Sequence, residues 1–275
     1  MKECCYDQRK KNLEGLCILE DRVSIITGPA KGMGAATTLA LAKAGSDLVL
    51  AGRDLEPIEM IAQKVRKLGR KAKILKCDVT SDLDVSAMCE TALEFYGQID
   101  ILVNIAGGTG PLGATSWETT PEDFDQIIDL NLKGCFLTMR GVLPTMIAQR
   151  YGKIVNVGGT FGLRGRALRM AYSASKWGLR GITKSTALEV GPYNINVNCV
   201  CPGMVDGPRF RKVCAEQAKR KGISPKEVRS QYEAEYALRR ISTDQDVANA
   251  ILFLASDLSK NITGQDLAVD GGWVI

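Results

Sequence analysis

A chain of 275 residues with 45% hydrophobic residues is long enough to bury one large core, so we predict a single domain. The net charge of +5 comes from 36 basic and 31 acidic residues and is not gathered into a tail, which argues against a nucleic-acid partner. The chain has no histidine, so it lacks the commonest general base and the commonest metal ligand. We therefore expect another residue to move protons, and no metal site.

Residues 1–20 are predicted to be a polar N-terminal extension, followed by one folded domain over residues 21–275. Nine cysteines are scattered along the chain without a paired Cys-X-X-Cys spacing. This usage indicates reduced thiols and a cytoplasmic protein. No run of about 18 apolar residues occurs, so we expect neither a signal peptide nor a membrane span.

The first predicted strand, Val23 to Thr27, runs into a glycine-rich loop and then a helix over 35–44. Glycines in this setting let the backbone turn sharply and bring its amides close to a pyrophosphate at the positive end of the helix dipole. The loop predicts a dinucleotide site. Its candidate residues are Gly28, Lys31, Gly32, Met33 and Gly34.

The end of the second predicted strand, Asp47 to Ala51, bears on the choice of dinucleotide. A free ribose 2′-hydroxyl favours a carboxylate at this point, whereas a 2′-phosphate favours positive charge. Gly52 stands at the expected acidic position and Arg53 follows it. With Lys31, Arg53 favours NADP(H) over NAD(H). The alternative is that Arg53 is a surface arginine beside a helix cap.

Strands and helices continue to alternate along the rest of the chain. This pattern predicts an α/β fold with a doubly wound parallel sheet covered by helices on both faces. Further strands are predicted over 72–77, 99–103, 153–157 and 266–269, and further helices over 58–68, from 81, over 121–150 and over 243–254.

The segment Tyr172 to Lys176 reads as helix and places a phenol and an ammonium on one face. A neighbouring cation favours the phenolate, so the pair is suited to acid-base chemistry if it faces a reactive carbon. A solvated helix face without chemistry is the alternative, and the spacing alone does not decide between them.

The order of these motifs resembles the short-chain dehydrogenase/reductase family from Arg22 to Gly272. The resemblance rests on residues 27–34 (TGPAKGMG), 104–107 (NIAG), 172–176 (YSASK) and 263–272 (TGQDLAVDGG), with Asp78, Asn131 and Pro202-Gly203. It implies a Rossmann-type sheet and a nicotinamide cofactor.

The resemblance also implies roles for individual residues. Tyr172 would exchange the hydroxyl proton, and Lys176 would hold the nicotinamide ribose and favour the tyrosinate. Asn131 would anchor a water in the proton relay. Asp78 would lie at the adenine. The other cofactor-binding residues implied are Val79, Asn104, Ala106, Gly107, Pro202, Gly203 and Val205.

Two positions depart from the family pattern. The family usually carries a serine thirteen residues before the tyrosine, where this chain has Gly159. Losing an oriented donor at the reacting oxygen weakens such a mechanism by orders of magnitude, so we expect a replacement. Thr160 is the first candidate, with a glycine amide or a polar group of the substrate as alternatives. Gly207 stands where a threonine often meets the nicotinamide.

Three arginines, Arg164, Arg166 and Arg169, precede the tyrosine in the segment that passes along the family's substrate cleft. Guanidinium groups bind carboxylates or phosphates through paired hydrogen bonds. Arg169 is the best placed, one turn before Tyr172, whereas a subunit interface or solvent is the alternative for all three. Gly159 and Arg169 are therefore the predicted substrate-binding residues.

The sequence thus predicts an NADP-dependent oxidoreductase that interconverts a secondary alcohol and a ketone, with an acidic or bulky substrate as one expectation. A basic segment over 208–240 is expected to be its substrate lid. The alternative is a cofactor-binding protein with a non-redox lyase, isomerase or sensor role. By analogy alone, we expect a homotetramer or homodimer with a small-molecule substrate.

Overall fold

The computed structural model describes residues 17–275, so Cys4 and Cys5 lie outside it. Seven parallel strands form one sheet in the order β3-β2-β1-β4-β5-β6-β7, with the switch between β1 and β4. The strands are β1 Val23–Thr27, β2 Asp47–Gly52, β3 Ala72–Lys76, β4 Ile101–Asn104, β5 Gly152–Val157, β6 Ile195–Pro202 and β7 Asp266–Val269.

Helices connect the strands and cover both faces of the sheet, which confirms the predicted fold class. They are α1 Met33–Lys43, α2 Leu55–Lys67, α3 Asp82–Tyr96, α4 Pro121–Ile128, α5 Gly134–Gln149, α6 Met170–Val190, α7 Pro208–Lys221, α8 Pro225–Glu235 and α9 Asp244–Ala255. Among residues 17–275, none of these helices is both long and apolar enough to cross a membrane.

Successive residues of the buried strands pack alternately into two hydrophobic layers, one on each face of the sheet. Ile26 packs in the layer that includes Val247 and Ile251 of α9, while its neighbour Ile25 packs in the opposite layer with Met88 of α3. Because successive side chains of a strand point to opposite faces, a sheet covered on both sides needs apolar residues at consecutive positions. The two layers hold the carboxyl ends of the strands in one row.

Two features of the fold differ from the sequence prediction. The single helix expected over 121–150 is interrupted by a π-helical turn, Asp129–Lys133, and such turns are frequent at functional sites. Strand β6 was not predicted, because asparagines break its apolar run. Asn196 and Asn198 are nevertheless buried, since both donate to the main-chain carbonyl of Ile262.

The predicted lid consists of the two helices α7 and α8. A third hydrophobic cluster joins them to the end of the chain and to the segment after β5. Within it Phe210 of α7, Tyr232 of α8 and Trp273 are buried against Phe161. The two helices are therefore packed against the segment that follows β5 and against the end of the chain.

Candidate active site

One cavity of about 1240 Å³ runs along the carboxyl ends of the strands. This volume exceeds that of a typical single-ligand pocket, so it can hold two ligands side by side. Most of the predicted site residues line it, whereas Asn104, Asn131 and Lys176 lie behind its wall. The predicted residues that line it are Gly28, Lys31, Gly32, Met33, Gly34, Arg53, Asp78, Val79, Ala106, Gly107, Gly159, Thr160, Arg169, Tyr172, Pro202, Gly203 and Val205.

The main chain of the glycine loop, residues 28–34, forms a concave surface, the glycine cradle, which side chains at its glycines would fill. A Cβ at Gly34 would collide with the carbonyl oxygen of Gly28, and one at Gly28 would lie 3.0 Å from the Ala106 nitrogen. Gly28 also has φ +68°, a conformation that favours glycine. Because the N-cap of α1 is Gly32, no capping side chain covers its first amides. This cradle fits a pyrophosphate at a helix N-terminus.

The adenosine end of the cavity carries two exposed cations, Lys31 and Arg53. A Cβ at Gly52 would lie 3.0 Å from the Cδ1 of Ile58, so the position expected for a carboxylate is tightly packed. Asp78 accepts hydrogen bonds from the main-chain amide and the hydroxyl of Thr80. These bonds, and then the charge of Arg53, lower the pKa of Asp78. The Asp78 carboxyl is therefore held ionised, and it lines the same cavity as Lys31 and Arg53.

Tyr172 and Lys176 lie one turn apart on α6, as their spacing predicts. Tyr172 is partly buried at the cavity wall. Lys176 is only 6% exposed, and its Nζ donates a 2.8 Å hydrogen bond to the carbonyl of Val157. That ammonium lies 5.8 Å from the centroid of the Tyr172 ring. The end of β5 thus holds the cation close to the phenol.

Asn131 ties the loop after β4 to the tyrosine helix. Its amide exchanges two hydrogen bonds with the main chain of Gly108, at 2.8 and 3.1 Å. Its Nδ2 also donates to the Ser175 hydroxyl, which in turn donates to the carbonyl of Tyr172. The sequence prediction had assigned no role to Ser175. These bonds fix the orientation of α6 relative to the cavity, and the water-anchoring role stays a prediction.

Asn104 faces the protein interior. Its Nδ2 donates to Asn156, and its Oδ1 accepts from the Thr138 hydroxyl. With 2% exposure, the side chain has no free polar group to offer a cofactor. The network uses this side chain to hold β4 against β5, and cofactor binding by Asn104 stays a prediction.

Gly159 lies beside the tyrosine hydroxyl, where a Cβ would be 3.2 Å from the Tyr172 oxygen. Thr160 points elsewhere. Its hydroxyl donates a 2.7 Å hydrogen bond to the carbonyl of Pro202, and the residue is 3% exposed. The structure thus does not support Thr160 as the replacement donor, because its proton is already used within the protein.

The chain is similar in sequence to characterised oxidoreductases. The family model described as enoyl-(acyl carrier protein) reductase matches residues 28–274. The chain is 37% identical to the 3-oxoacyl-(acyl-carrier-protein) reductase FabG of Thermotoga maritima, covering 94% of this chain and 99% of that protein. It is 36% identical to galactitol 2-dehydrogenase of Agrobacterium fabrum, covering 92% and 98%.

The fold is shared with solved structures of related enzymes. NAD⁺-bound xylitol dehydrogenase superposes with a TM-score of 0.88 at 32% identity, covering 92% of this chain and 99% of the other. Levodione reductase gives a TM-score of 0.86 at 29% identity, covering 92% and 98%. The chain belongs to the short-chain dehydrogenase/reductase family.

The three arginines before the tyrosine of this dehydrogenase/reductase have different partners. Arg164 lies 3.5 Å from the carboxylate of Glu235 and 4.3 Å from the ring centroid of Trp273. Arg166 donates to the Tyr232 hydroxyl. Both are thus engaged by the lid and the C-terminal segment, and neither is simply solvated.

Arg169 lies beside Tyr172. Its guanidinium donates to the carbonyl of Pro111 at 3.2 Å and lies 4.7 Å from the Tyr172 ring centroid. Burial lowers the pKa of Arg169 from its ordinary value. This arginine therefore carries its charge in a partly desolvated part of the cavity, beside Tyr172.

Two further groups lining the cavity were not anticipated from the sequence. Asp244, at the start of α9, has a carboxylate oxygen 3.4 Å from where a Cβ of Gly32 would lie. Burial raises its pKa. Arg209, in the first turn of α7, lines the substrate half. No local sequence signal distinguishes either residue from an ordinary helix terminus, because their importance comes from long-range packing.

Proposed function

We propose that this protein is an NADP(H)-dependent oxidoreductase that interconverts a secondary alcohol and a ketone. The observation that carries the proposal is that one cavity joins the glycine cradle to the hydroxyl side of Tyr172. A dinucleotide in the cradle and a substrate under the lid would thus meet at this tyrosine. Bound NADP(H) would supply or accept the hydride.

Tyr172 acts as the general acid in reduction and as the general base in oxidation. The buried ammonium of Lys176 lies 5.8 Å from the centroid of the Tyr172 ring and supplies a positive charge beside the proton-transferring residue. It is also positioned to hold the nicotinamide ribose. Asn131 keeps α6 in place through Ser175 and anchors a water that relays the proton to solvent.

The missing serine is best replaced by a polar group of the substrate itself. The Gly158 amide already donates to the Val200 carbonyl. The Thr160 hydroxyl is also engaged, so of the protein donors that we considered only the Gly159 amide remains beside the substrate's own polar group.

NADP(H) is the proposed cofactor in preference to NAD(H). Lys31 and Arg53 are exposed cations that line the cavity, and Gly52 offers no carboxylate to the ribose. A 2′-phosphate would meet two positive charges, whereas a 2′-hydroxyl would lack its usual partner.

The remaining proposals concern the setting of the enzyme. Residues 1–20 would be an extension to the catalytic domain over 21–275, and residues 208–240 would form a lid that admits an acidic or bulky substrate. Exposed apolar side chains on α5 and α6 support a homodimer or homotetramer. The cysteines that the structure describes are all free, which supports a cytoplasmic location.

The test is NADPH oxidation and NADP⁺ reduction by the purified protein over ketones and alcohols, with Tyr172→Phe as the control. We expect turnover that the control loses while NADPH binding is retained. Turnover that persists in Tyr172→Phe would contradict the proposed chemistry.

A second candidate is a non-redox lyase, isomerase or sensor role on the same fold. The absence of a serine hydroxyl at Gly159 favours it, because a reductase gains from a donor at the reacting oxygen. Product formation without net change in NADPH would show a lyase or isomerase. Tight NADPH binding without any turnover would favour the sensor.

A further inference from the structure

We propose that Arg169 and Arg209 form a two-arginine site that binds the carboxylate of a substrate whose apolar body carries a ring. The inference deepens the proposed function and rests on it for the identity of the ligand as a substrate. Both arginines line the substrate half of the cavity, one from the helix of the catalytic tyrosine and one from the lid.

Arg169 has unused hydrogen-bonding capacity. A guanidinium has five N–H donors, and the hydrogen bond to the Pro111 carbonyl uses one of them. Its Nε is buried and has no hydrogen-bond partner among residues 17–275. An unpaired buried donor costs free energy, so a ligand that accepts from it is favoured.

Arg209 faces the same space without a partner. Within the part of the chain that the structure describes, its guanidinium forms neither a hydrogen bond nor an ion pair. Arg209 is exposed and lines the same cavity as Arg169, and its charge, like burial, lowers the pKa of Arg169. Two like charges that face one cavity are stabilised by an anion between them.

The carboxylates around the cavity do not occupy this position. Glu235 is engaged by Arg164 and by the Trp273 indole. Asp206 lies 3.0 Å from Arg229, an ion pair within the lid. Glu216 also lines the cavity, two helical turns beyond Arg209 on α7, and so offsets part of the local charge. Arg220, which donates to Leu112, adds a further cation on the same helix.

Aromatic side chains form the wall beside the two arginines. Phe161 lies edge-on to Tyr172, at a centroid distance of 6.2 Å, and 5.6 Å from Trp273. Tyr232 continues the wall, 6.0 Å from Trp273 and 5.4 Å from Phe210. Such a surface packs against flat apolar groups. A ring would therefore lie on this wall with its carbonyl at Tyr172 and its carboxylate between the arginines.

The first experiment measures binding with a pair of probes that differ in charge and in one methyl group. The NADP⁺-saturated protein is titrated calorimetrically with 4-oxocyclohexanecarboxylate and with its methyl ester. We expect the acid to bind at least about tenfold more tightly, as a pair of charge-assisted hydrogen bonds predicts. Equal binding of acid and ester, or no binding of the acid, would overturn the two-arginine site.

The variants Arg169→Ala and Arg209→Ala should each weaken acid binding by about tenfold and leave ester binding unchanged. Arg211→Ala is the matched control, because Arg211 lies on the same turn of α7 but does not line the cavity. Arg209→Lys should retain part of the affinity, which separates a charge effect from a folding defect. Unchanged acid affinity in Arg209→Ala would overturn the proposal.

Turnover of the same probes with NADPH separates this inference from the proposed function. Arginine-dependent binding of the acid without reduction of either probe would contradict the oxidoreductase and leave the anion site standing. Reduction of both probes with equal kcat/KM would confirm the oxidoreductase and overturn the anion site.

Discussion

The main chain of Gly159 passes so close to Tyr172 that a Cβ at position 159 would lie 3.2 Å from the tyrosine hydroxyl. This is tighter than an ordinary carbon–oxygen contact, so any side chain there would press on the Tyr172 hydroxyl. The glycine thus leaves space beside that hydroxyl and offers it no side-chain hydrogen-bond donor.

Comparing Gly159→Ser with Gly159→Ala isolates the missing donor. Both variants add the same Cβ, but only serine adds a hydroxyl beside Tyr172. We expect kcat for a small neutral ketone to be at least about tenfold higher in the serine variant, a conservative share of what one such donor contributes. Equal kcat values in the two variants would show that this position needs no protein donor.

Replacing Arg53 tests the cofactor preference. Arg53→Ala should reduce the ratio of NADP to NAD affinity by about tenfold, because one charged partner of the 2′-phosphate is lost. Arg66→Ala is the control, since Arg66 is paired with Glu59 on α2 and does not line the cavity. Fluorescence titration with both cofactors measures the ratio, and an unchanged ratio in Arg53→Ala would contradict the assignment.

The glycine cradle predicts a large effect at Gly34. Gly34→Ala should abolish NADPH binding and lower the Tm by several degrees, because the new methyl group collides with the Gly28 carbonyl. Gly181→Ala in α6 should not lower the Tm, because its Cβ would meet no atom within 4 Å. Thermal unfolding with and without NADPH measures both variants. Normal NADPH affinity in Gly34→Ala would refute the cradle.

Asp244 predicts a pH dependence of cofactor binding. Burial raises the pKa of Asp244, and its carboxylate lies beside Gly32 of the glycine cradle. Above that pKa the ionised group repels the cofactor phosphates, so NADPH affinity should rise as the pH falls through it. Asp244→Asn should remove this dependence and tighten binding at neutral pH by roughly fivefold.

Calorimetric titration of NADPH across the acidic range checks the Asp244 prediction. Asp125→Asn, an exposed carboxylate on α4 that does not line the cavity, is its control. A pH profile that is the same in the wild type and in Asp244→Asn would count against the predicted repulsion.

The proposed oligomer predicts an interface on α5 and α6. Phe136 and Trp177 are large apolar residues that remain 48% and 49% exposed in the isolated chain. Phe136→Asp or Trp177→Asp should therefore lower the mass measured by light scattering after size exclusion. Leu83→Asp, on α3 and 84% exposed, is the comparison and should leave the mass unchanged. A monomeric wild-type protein would contradict the oligomer.

Local sequence patterns were sufficient to predict much of the fold. The predicted bounds of β1 and β7 match the structure, because apolar runs and turn residues define them. The helical spacing of Tyr172 and Lys176 likewise fixed their common face before any contact was known. By contrast, β6 was missed because its asparagines find partners only in the folded chain.

Amino-acid order by itself thus determined the alternating strands and helices, the glycine loop and the tyrosine-lysine pair, since each depends on neighbours within a few residues. The tertiary structure alone decided that Thr160 bonds to Pro202 and that Arg169 and Arg209 face one cavity. Such side-chain partners are distant in sequence, and which of them meet depends on how whole helices pack on the sheet.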